Sequence, residues 1–521
     1  MTRLVTSATV EAATLAALLT PRDDIVAERA LGTGVFEAAD GPFAHYRRTV
    51  EVAAGPDGAE GHRAVTQVTE FRLAIPVWGI PFRWAYRREL SRLTRRRPGS
   101  TPWWAPPQRL DARGAAVLGM LCSLSLVVGY LGTLLTQTIT FAAEEFDAGT
   151  GAQGVTLAAV RVGVVGALVV TALADRRGRR RLLVWSAAAG CVLAALGALS
   201  PNLAVLGLTQ ALSRAAGATA LGLLIAIVAA EELPAGSRAY GYSLLAMVGG
   251  LGAGMAVWVL PLADLGPAAW RIVYAVPLLA LPMIVAIGRN LPESRRFAAP
   301  HVDAPMAGHG RRFWLLAASA FLAALFIAPA SQFQNEFLRD ERGFSAARIT
   351  LFTLLTNTPG GIGIVVGGRL ADIRGRRVIG AVGMAGGALL TVAMFLASGW
   401  PLWAWSVAGA VIGGLTVPAL AVYGPELFPT SLRGRANGII SLVSVVGSGL
   451  GLLVAGLLAD RLGGFGPTMA LLAIGPVLVG VLVITAYPET AHQELEELNP
   501  EDALPAADGI APGARRYARP S

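Results

Sequence analysis

The residues with charge chemistry to offer come in two sets. Asp175 and Arg179 stand in ADRRGRR (174–180), and Asp372 and Arg376 stand in ADIRGRR (371–377). Glu231 and Arg238 bound EELPAGSR (231–238), Glu426 and Arg433 bound ELFPTSLR (426–433), and Glu293 and Glu489 belong to PES (292–294) and PET (488–490). Carboxylates beside arginine-glycine turns suit reversible ion pairing and the capping of exposed helix N–H groups. They do not suit catalysis. No nucleophile elbow, phosphate-cradling P-loop or metal-spaced His/Cys cluster occurs, so no enzyme activity, cofactor or metal site is expected, and ATP is excluded as a direct drive. The two cysteines, Cys122 and Cys191, lie in apolar runs and predict no disulfide.

These motifs must be held by something, and the composition says by what. Of 521 residues, 54% are hydrophobic and 15% charged, against about 25% charged for a soluble domain. That excess of apolar residues points to lipid as the main solvent. From residue 114 the chain falls into twelve apolar runs, near 114–140, 154–173, 182–199, 203–230, 239–260, 272–288, 313–335, 349–368, 378–397, 402–424, 436–458 and 468–487. Each is long enough for a helix to cross about 30 Å of hydrocarbon. All 43 basic residues are arginine, and the net charge is +9. The five connections near 174–181, 231–238, 289–312, 369–377 and 425–435 hold seventeen arginines, and the six opposite connections hold five. The positive-inside bias therefore predicts cytoplasmic N- and C-termini in a multi-pass cell (inner or plasma) membrane, with an anionic inner leaflet rather than nucleic acid as the basic surface's partner.

The motif pairs are offset by 197, 195 and 196 residues, so one six-helix unit is present twice. The expected fold is an all-α membrane protein of twelve transmembrane helices in two pseudo-symmetric bundles, preceded by a small N-terminal cytoplasmic α+β module. The expected parts are the module and hinge (1–110), the first bundle (111–290), a central cytoplasmic linker (291–312), the second bundle (313–488) and a cytoplasmic tail (489–521). In the module, TVEAATLAALL (9–19) predicts a short helix, and the alternating segments 45–52 and 62–75 predict a hairpin around GPDGAEG. No signal peptide is expected. IPVWGIPFRWAYRREL (75–90) with Arg95, Arg96 and Arg97 suits either a membrane-interface segment or a solvated basic linker, and PGSTPWWAPP (98–107) suits a hinge.

At the repeated motifs the sequence resembles the major facilitator superfamily, most closely its sugar-porter and general metabolite transporter group, over residues 114 to 498. The two ADxRGRR motifs resemble the family signature after helices 2 and 8, and the Glu-Pro-Arg sets resemble the signature after helices 4 and 10. LPESRRF (291–297) and YPETAHQELEEL (487–498) resemble the ends of each half. The first signature departs from the pattern, with Thr171 where glycine usually stands and Gly368 present in the second copy. The resemblance implies a secondary transporter or facilitator that moves a small polar organic solute (sugar, polyol or organic acid) by alternating access. A drug or metabolite exporter and a non-transporting solute sensor are the alternatives.

An ion-pair network is expected among Asp175, Arg179, Glu231, Arg238 and Glu293 and their counterparts Asp372, Arg376, Glu426, Arg433 and Glu489, holding the halves together when the outside is open. Arg177, Arg180 and Arg181 are read as topology-fixing charges. Arg161 and Arg214 lie within apolar runs and must face the interior. RAAGATALG (214–222) resembles the family's helix-4 pattern and implies a structural or coupling role for Arg214. Arg161 has two open readings: a pair with Glu144, Glu145 or Asp147, or an anionic-substrate contact. The candidate solute contacts are Gln137, Arg161, Gln210, Gln332, Gln334, Asn335 and Asn357. Pro329 ahead of SQFQNEF (331–337) predicts a broken helix at a cavity, and the family's glutamine-rich helix 7 implies hydroxyl binding by Gln332, Gln334 and Asn335. Trp403 and Trp405 read as interface anchors. Proton-driven members carry an aspartate after a Gly-Tyr pair in helix 1; here Leu131 follows Gly129 and Tyr130. Proton coupling through Glu144, Glu145 or Glu336 and facilitated diffusion both stay open.

Overall fold

A chain that crosses lipid must satisfy its backbone N–H and C=O groups internally, which leaves the helix as the unit for long apolar runs. The computed structural model describes residues 1–53, 62–93, 99–161, 163–298 and 304–503. Within them are twelve helical spans long and apolar enough to cross a membrane. Spans 1 to 6 are Ala112–Glu145, Val155–Arg177, Arg179–Leu199, Leu203–Glu232, Ala235–Ala263 and Trp270–Asn290. Spans 7 to 12 are Met306–Glu341, Ala347–Arg374, Arg376–Leu396, Gly399–Glu426, Arg433–Leu462 and Phe465–Ala486. Every expected run is a span. Span 7 continues past its expected end: Pro329 is tolerated inside the helix, which first falters at Phe333 and then resumes to Glu341.

Residues 1–123 and 124–521 form two separate units. In the first, β1 (Thr2–Glu11), β2 (Ala27–Gly32), β3 (Val35–Asp40), β4 (Phe43–Val52) and β5 (His62–Leu73) build an antiparallel sheet of order β1-β5-β4-β3-β2. The expected hairpin is β4–β5, in register with Tyr46 opposite Phe71. Its GPDGAEG connection lies outside the described residues. The expected helix over 9–19 is shorter: Thr9 to Glu11 belong to β1, because they pair with Ala64 to His62 of β5, and only Ala12–Leu18 is helical (α1). Helix α2 (Gly79–Leu90) lays Tyr86 and Leu90 onto Phe43, Phe71 and Ile25. Segment 75–90 is therefore packed on one face, leaving Trp84 and Ile80 exposed. Arg95, Arg96 and Arg97 lie outside the described residues. The expected hinge is also partly docked, with Trp104 edge-on to Tyr86 at 5.0 Å. Glu28 anchors the sheet's polar interior, accepting hydrogen bonds from Tyr46 Oη (2.6 Å), Arg48 Nε (2.8 Å) and Arg48 Nη2 (2.7 Å).

In the second unit the two six-helix sets meet through span 2 against span 11 and span 5 against span 8. The core of the second set is aromatic: Phe337, Phe344, Phe352, Phe395, Phe465 and Met469 pack together. Trp403 lies 4.8 Å from Phe352, edge to face, so it is a core residue and not an interface anchor, whereas Trp405 is exposed.

Candidate functional site: a duplicated charge lattice

Glycine at positive φ makes the turn that starts this site. Gly178 (φ 101°) separates span 2 from span 3, and Gly375 (φ 98°) separates span 8 from span 9, a backbone angle that side chains other than glycine rarely adopt. At each turn a carboxylate from the end of the same half caps the new helix. Glu293 Oε1 accepts the N–H of Arg179 (2.9 Å) and Arg180 (3.1 Å), and Glu489 accepts those of Arg376 (2.9 Å) and Arg377 (3.2 Å). These two acids were expected as ion-pair partners of arginine side chains; they act on backbone N–H groups, where the helix dipole favours negative charge.

The aspartates cap helices of the opposite half. Asp175 takes the N–H groups of Gly434 (3.0 Å) and Arg435 (2.9 Å) at the start of span 11. Asp372 takes those of Ala239 (3.1 Å) and Tyr240 (2.7 Å) at the start of the span 5 helix.

The arginines also exchange halves. Arg433 of the second half donates to Glu231 of the first at 2.5 Å, and Arg238 of the first donates to Glu426 of the second at 3.1 Å. Arg179 completes the first cluster, 3.2 Å from Asp175 and 3.5 Å from Glu231. Arg376 completes the second, bonded to Glu426 and 3.3 Å from Asp372. Glu231, Glu426, Arg179, Arg238, Arg376, Arg433 and Asp372 are all fully buried. Buried guanidinium-carboxylate sets are strong only with complete partners, and removing one member leaves an uncompensated charge. The lattice therefore binds the halves tightly at this end.

Sequence reasoning missed the chain that crosses the lattice. After span 12, Glu494 reaches Arg238 (3.2 Å) and Arg296 (3.0 Å), and Glu496 reaches Arg296 (2.8 Å). Asn499 Nδ2 donates to the Glu426 carbonyl (2.7 Å), and Asp502 accepts from Thr430 N (2.7 Å) and Arg433 Nη2 (3.0 Å). The acidic run QELEEL (493–498) was the available signal, but its partners are not sequence neighbours. Burial raises the Asp502 carboxyl above the ordinary carboxylate range, although Arg433 and the Thr430 N–H pull the other way. Glu496 sits below that range: burial would raise it, but the hydrogen bond and charge of Arg296 outweigh burial.

The missing glycine at Thr171 is compensated across the interface. A Cβ on Gly368 would lie 2.7 Å from Ser243 Cβ and 2.8 Å from the Ala239 carbonyl, so span 5 approaches there as only glycine allows. At the matching crossing, a Cβ on Gly438 of span 11 would lie 2.8 Å from Thr171 Oγ1. The small residue has changed sides, and Ser243 and Gly438 stand 195 residues apart, the repeat offset.

The other candidates lie away from the lattice. Gln210 is buried and gives its Nε2 to the Ala194 carbonyl (3.3 Å) within the first bundle, a packing role and not an open solute contact. Gln137 and Gln334 are half-buried, and Gln332, Asn335 and Asn357 are exposed. Arg161 does not pair with Glu144, Glu145 or Asp147: its Nη1 is 3.4 Å from Ser448 Oγ of span 11, while Glu145 holds Arg271 (2.9 Å) and Trp270 Nε1 (2.5 Å). Arg214 Nη1 is 3.4 Å from the Gly132 carbonyl of span 1. Arg214 also opens a π-helical stretch, Arg214–Ala220, a local widening often found at functional sites. Among the described residues there is no cluster of His, Cys, Asp or Glu that could hold a metal ion.

Comparison with known proteins agrees with this architecture. Residues 313–513 match the model of the Major Facilitator Superfamily. A "Putative metabolite transport protein" of Haemophilus influenzae is 31% identical over 166 residues, 30% of this chain and 36% of that protein. "Sugar transporter ERD6-like 16" of Arabidopsis thaliana is 26% identical over 198 residues, 33% of this chain and 38% of that protein. The matched stretches thus span little more than a third of these relatives. Among solved structures, the proton:xylose symporter XylE bound to 6-bromo-6-deoxy-D-glucose superposes with a TM-score of 0.63 at 17% identity, covering 75% of this chain and 99% of that one. The transporter FucP in the outward conformation gives 0.58 at 14% identity, covering 70% and 97%. Twelve spans in two repeated sets define the class, a multi-pass membrane protein of the facilitator fold. The second set, over residues 313–513, matches the Major Facilitator Superfamily, and the relatives the chain is similar to are named for sugar and metabolite transport.

Proposed function

We propose that the protein is a secondary transporter or facilitator that carries a small polar organic solute across the cell membrane by alternating access. The observation that carries this reading is the duplicated lattice, in which each half inserts an arginine into the other half's acidic cluster. Such a lattice is all-or-none: it is complete when this end is sealed and leaves several buried charges unpaired if the halves tilt partway. That gives the two discrete states alternating access needs. The arginine asymmetry of the connections supports a cytoplasmic location for the lattice and for both termini. No group of catalytic residues was found in the sequence, which supports transport without chemistry on the solute. Solute coupling to protons has no aspartate at position 131 to rely on, so facilitated diffusion or a relay through outer-end acids such as Glu336 is proposed in its place. Gln137, Gln332, Gln334, Asn335 and Asn357 are the proposed hydroxyl contacts, their amides both donating and accepting. The test is flux. Purified protein in liposomes should equilibrate or accumulate labelled solute, and Glu231→Gln or Glu426→Gln should slow it at least tenfold with the same amount inserted. Binding without flux would overturn the transport reading.

A further inference from the structure

Every arginine that the structure buries completely has a carboxylate within 3.5 Å. This holds for Arg48, Arg179, Arg238, Arg376 and Arg433. Arg161 and Arg214, half-buried within the spans, have no such carboxylate among the described residues. Neither forms a salt bridge there; their hydrogen bonds go to neutral oxygens, Ser448 Oγ and the Gly132 carbonyl, both at a long 3.4 Å. Each guanidinium carries five N–H donors, so most of their capacity is unused by these contacts. Moreover, the helices that carry them cross closely beside both arginines: a Cβ on Gly163, two residues after Arg161, would collide with the carbonyl of Ala211, three residues before Arg214. Two like charges set near each other inside a membrane protein, without a counter-ion, are unfavourable and call for a partner.

Their position gives that cost a purpose. Arg161 is sixteen residues from the lattice end of span 2 and Arg214 eighteen from the lattice end of span 4, about 24 Å and 27 Å at 1.5 Å per residue. Span 1 supplies Gly132 and span 11 of the other half supplies Ser448, so the pair lies where the two halves face each other. There is room beside it: a Cβ on Gly132 would meet nothing within 4 Å. Both arginines are half-buried, within reach of a ligand that enters between the halves.

We propose that Arg161 and Arg214 form an anion subsite, and that the carried solute is a small hydroxylated organic anion held by its carboxylate between the two guanidiniums. This rests on the transport reading above and narrows it from sugar, polyol or organic acid to the last. Planar guanidinium forks bind carboxylates in pairs of parallel hydrogen bonds, which a neutral polyol cannot match. The ligand also supplies the missing negative charge. An empty subsite keeps the repulsion, so the loaded carrier is the form relieved of it.

The test compares probes on the full-length protein at constant ionic strength. Sodium gluconate and sorbitol share a six-carbon hydroxylated skeleton and differ in the carboxylate; malate and inorganic phosphate extend the anion series. Thermal stability is read first, and then uptake and counterflow in liposomes. The expected result is stabilisation and flux with gluconate or malate, none with sorbitol, and at least a tenfold loss of apparent affinity in Arg161→Gln and in Arg214→Gln. Variants that melt as the parent does without ligand show that the fold is intact. Arg214→Lys should restore part of the binding, because it keeps the charge. If sorbitol is bound or carried as well as gluconate, or if the glutamine variants keep the parent affinity, the anion subsite is overturned. Response to phosphate alone also overturns the organic-anion assignment. Anion binding that survives without any flux overturns transport and leaves the subsite standing.

Discussion

Glu426→Gln is the most informative single change in the lattice. Its carboxylate is fully buried and neutralises two arginines from different halves, Arg376 of its own and Arg238 of the other. In the variant, Arg376 keeps Asp372 at 3.3 Å, and the carboxylate that Arg238 keeps among the described residues is Glu494 at 3.2 Å, whose side chain is 47% exposed. Breaking a buried pair on one side costs about 3–5 kcal/mol. The residual partners put this case near the lower value, about 3 kcal/mol, or roughly a hundredfold shift against the sealed state. A parent sealed in about 99 of 100 molecules would then be open in about half. Arg176 and Arg435 are exposed and flank the contact of span 2 with span 11. Spin labels at these positions report the separation directly. The parent should give one short distance and the variant a second, longer population of comparable size. Adding Arg238→Gln to Glu426→Gln should cost less than the sum of the single changes, because the second removes a charge the first has orphaned. A single unchanged short distance in Glu426→Gln, with parental melting behaviour, would refute the claim that this charge holds the end shut.

Gly438→Ala should also open this end, since its Cβ would crowd Thr171 Oγ1 and Leu168 Cδ2 at 2.8 Å, and Thr171→Gly in the same chain should reverse much of the effect on the same labels. Asp502 predicts a pH dependence. Its raised value means the folded chain binds that proton more tightly than the unfolded one, so this group's contribution is fully present below the ordinary aspartate range and is lost as pH rises through the raised value. Melting temperatures from pH 4 to 7 should therefore carry a component favouring acid that Asp502→Asn lacks; identical profiles for parent and variant would contradict it. In the N-terminal module, Arg48→Ala should destabilise the sheet by about 3 kcal/mol or more, leaving Glu28 buried without its cation. Protection of β4 amides from hydrogen exchange should fall accordingly, while that of span 11 should not.

The sequence by itself determined the number of spans, their repeat and the identity of the charged residues at their ends. Those properties are local: run length follows from bilayer thickness, and the β4–β5 hairpin from alternation. It also offered exposed helix N–H groups as the kind of partner for Asp175 and Asp372, a general electrostatic preference, without saying which helix supplies them. Only the tertiary structure decided which arginine meets which acid. Arg433 and Glu231 are 202 residues apart and Arg238 and Glu426 are 188 apart, so no spacing along a helix could pair them. The same distance hid Glu494 and Asp502, the capping role of Glu293 and Glu489, and the exchange of Thr171 for Gly438. It hid as well that Arg161 would find Ser448 and not Glu145. Periodicity carries information over a few turns of helix, whereas a charge buried between two bundles is neutralised by whatever the folding of both brings within 4 Å.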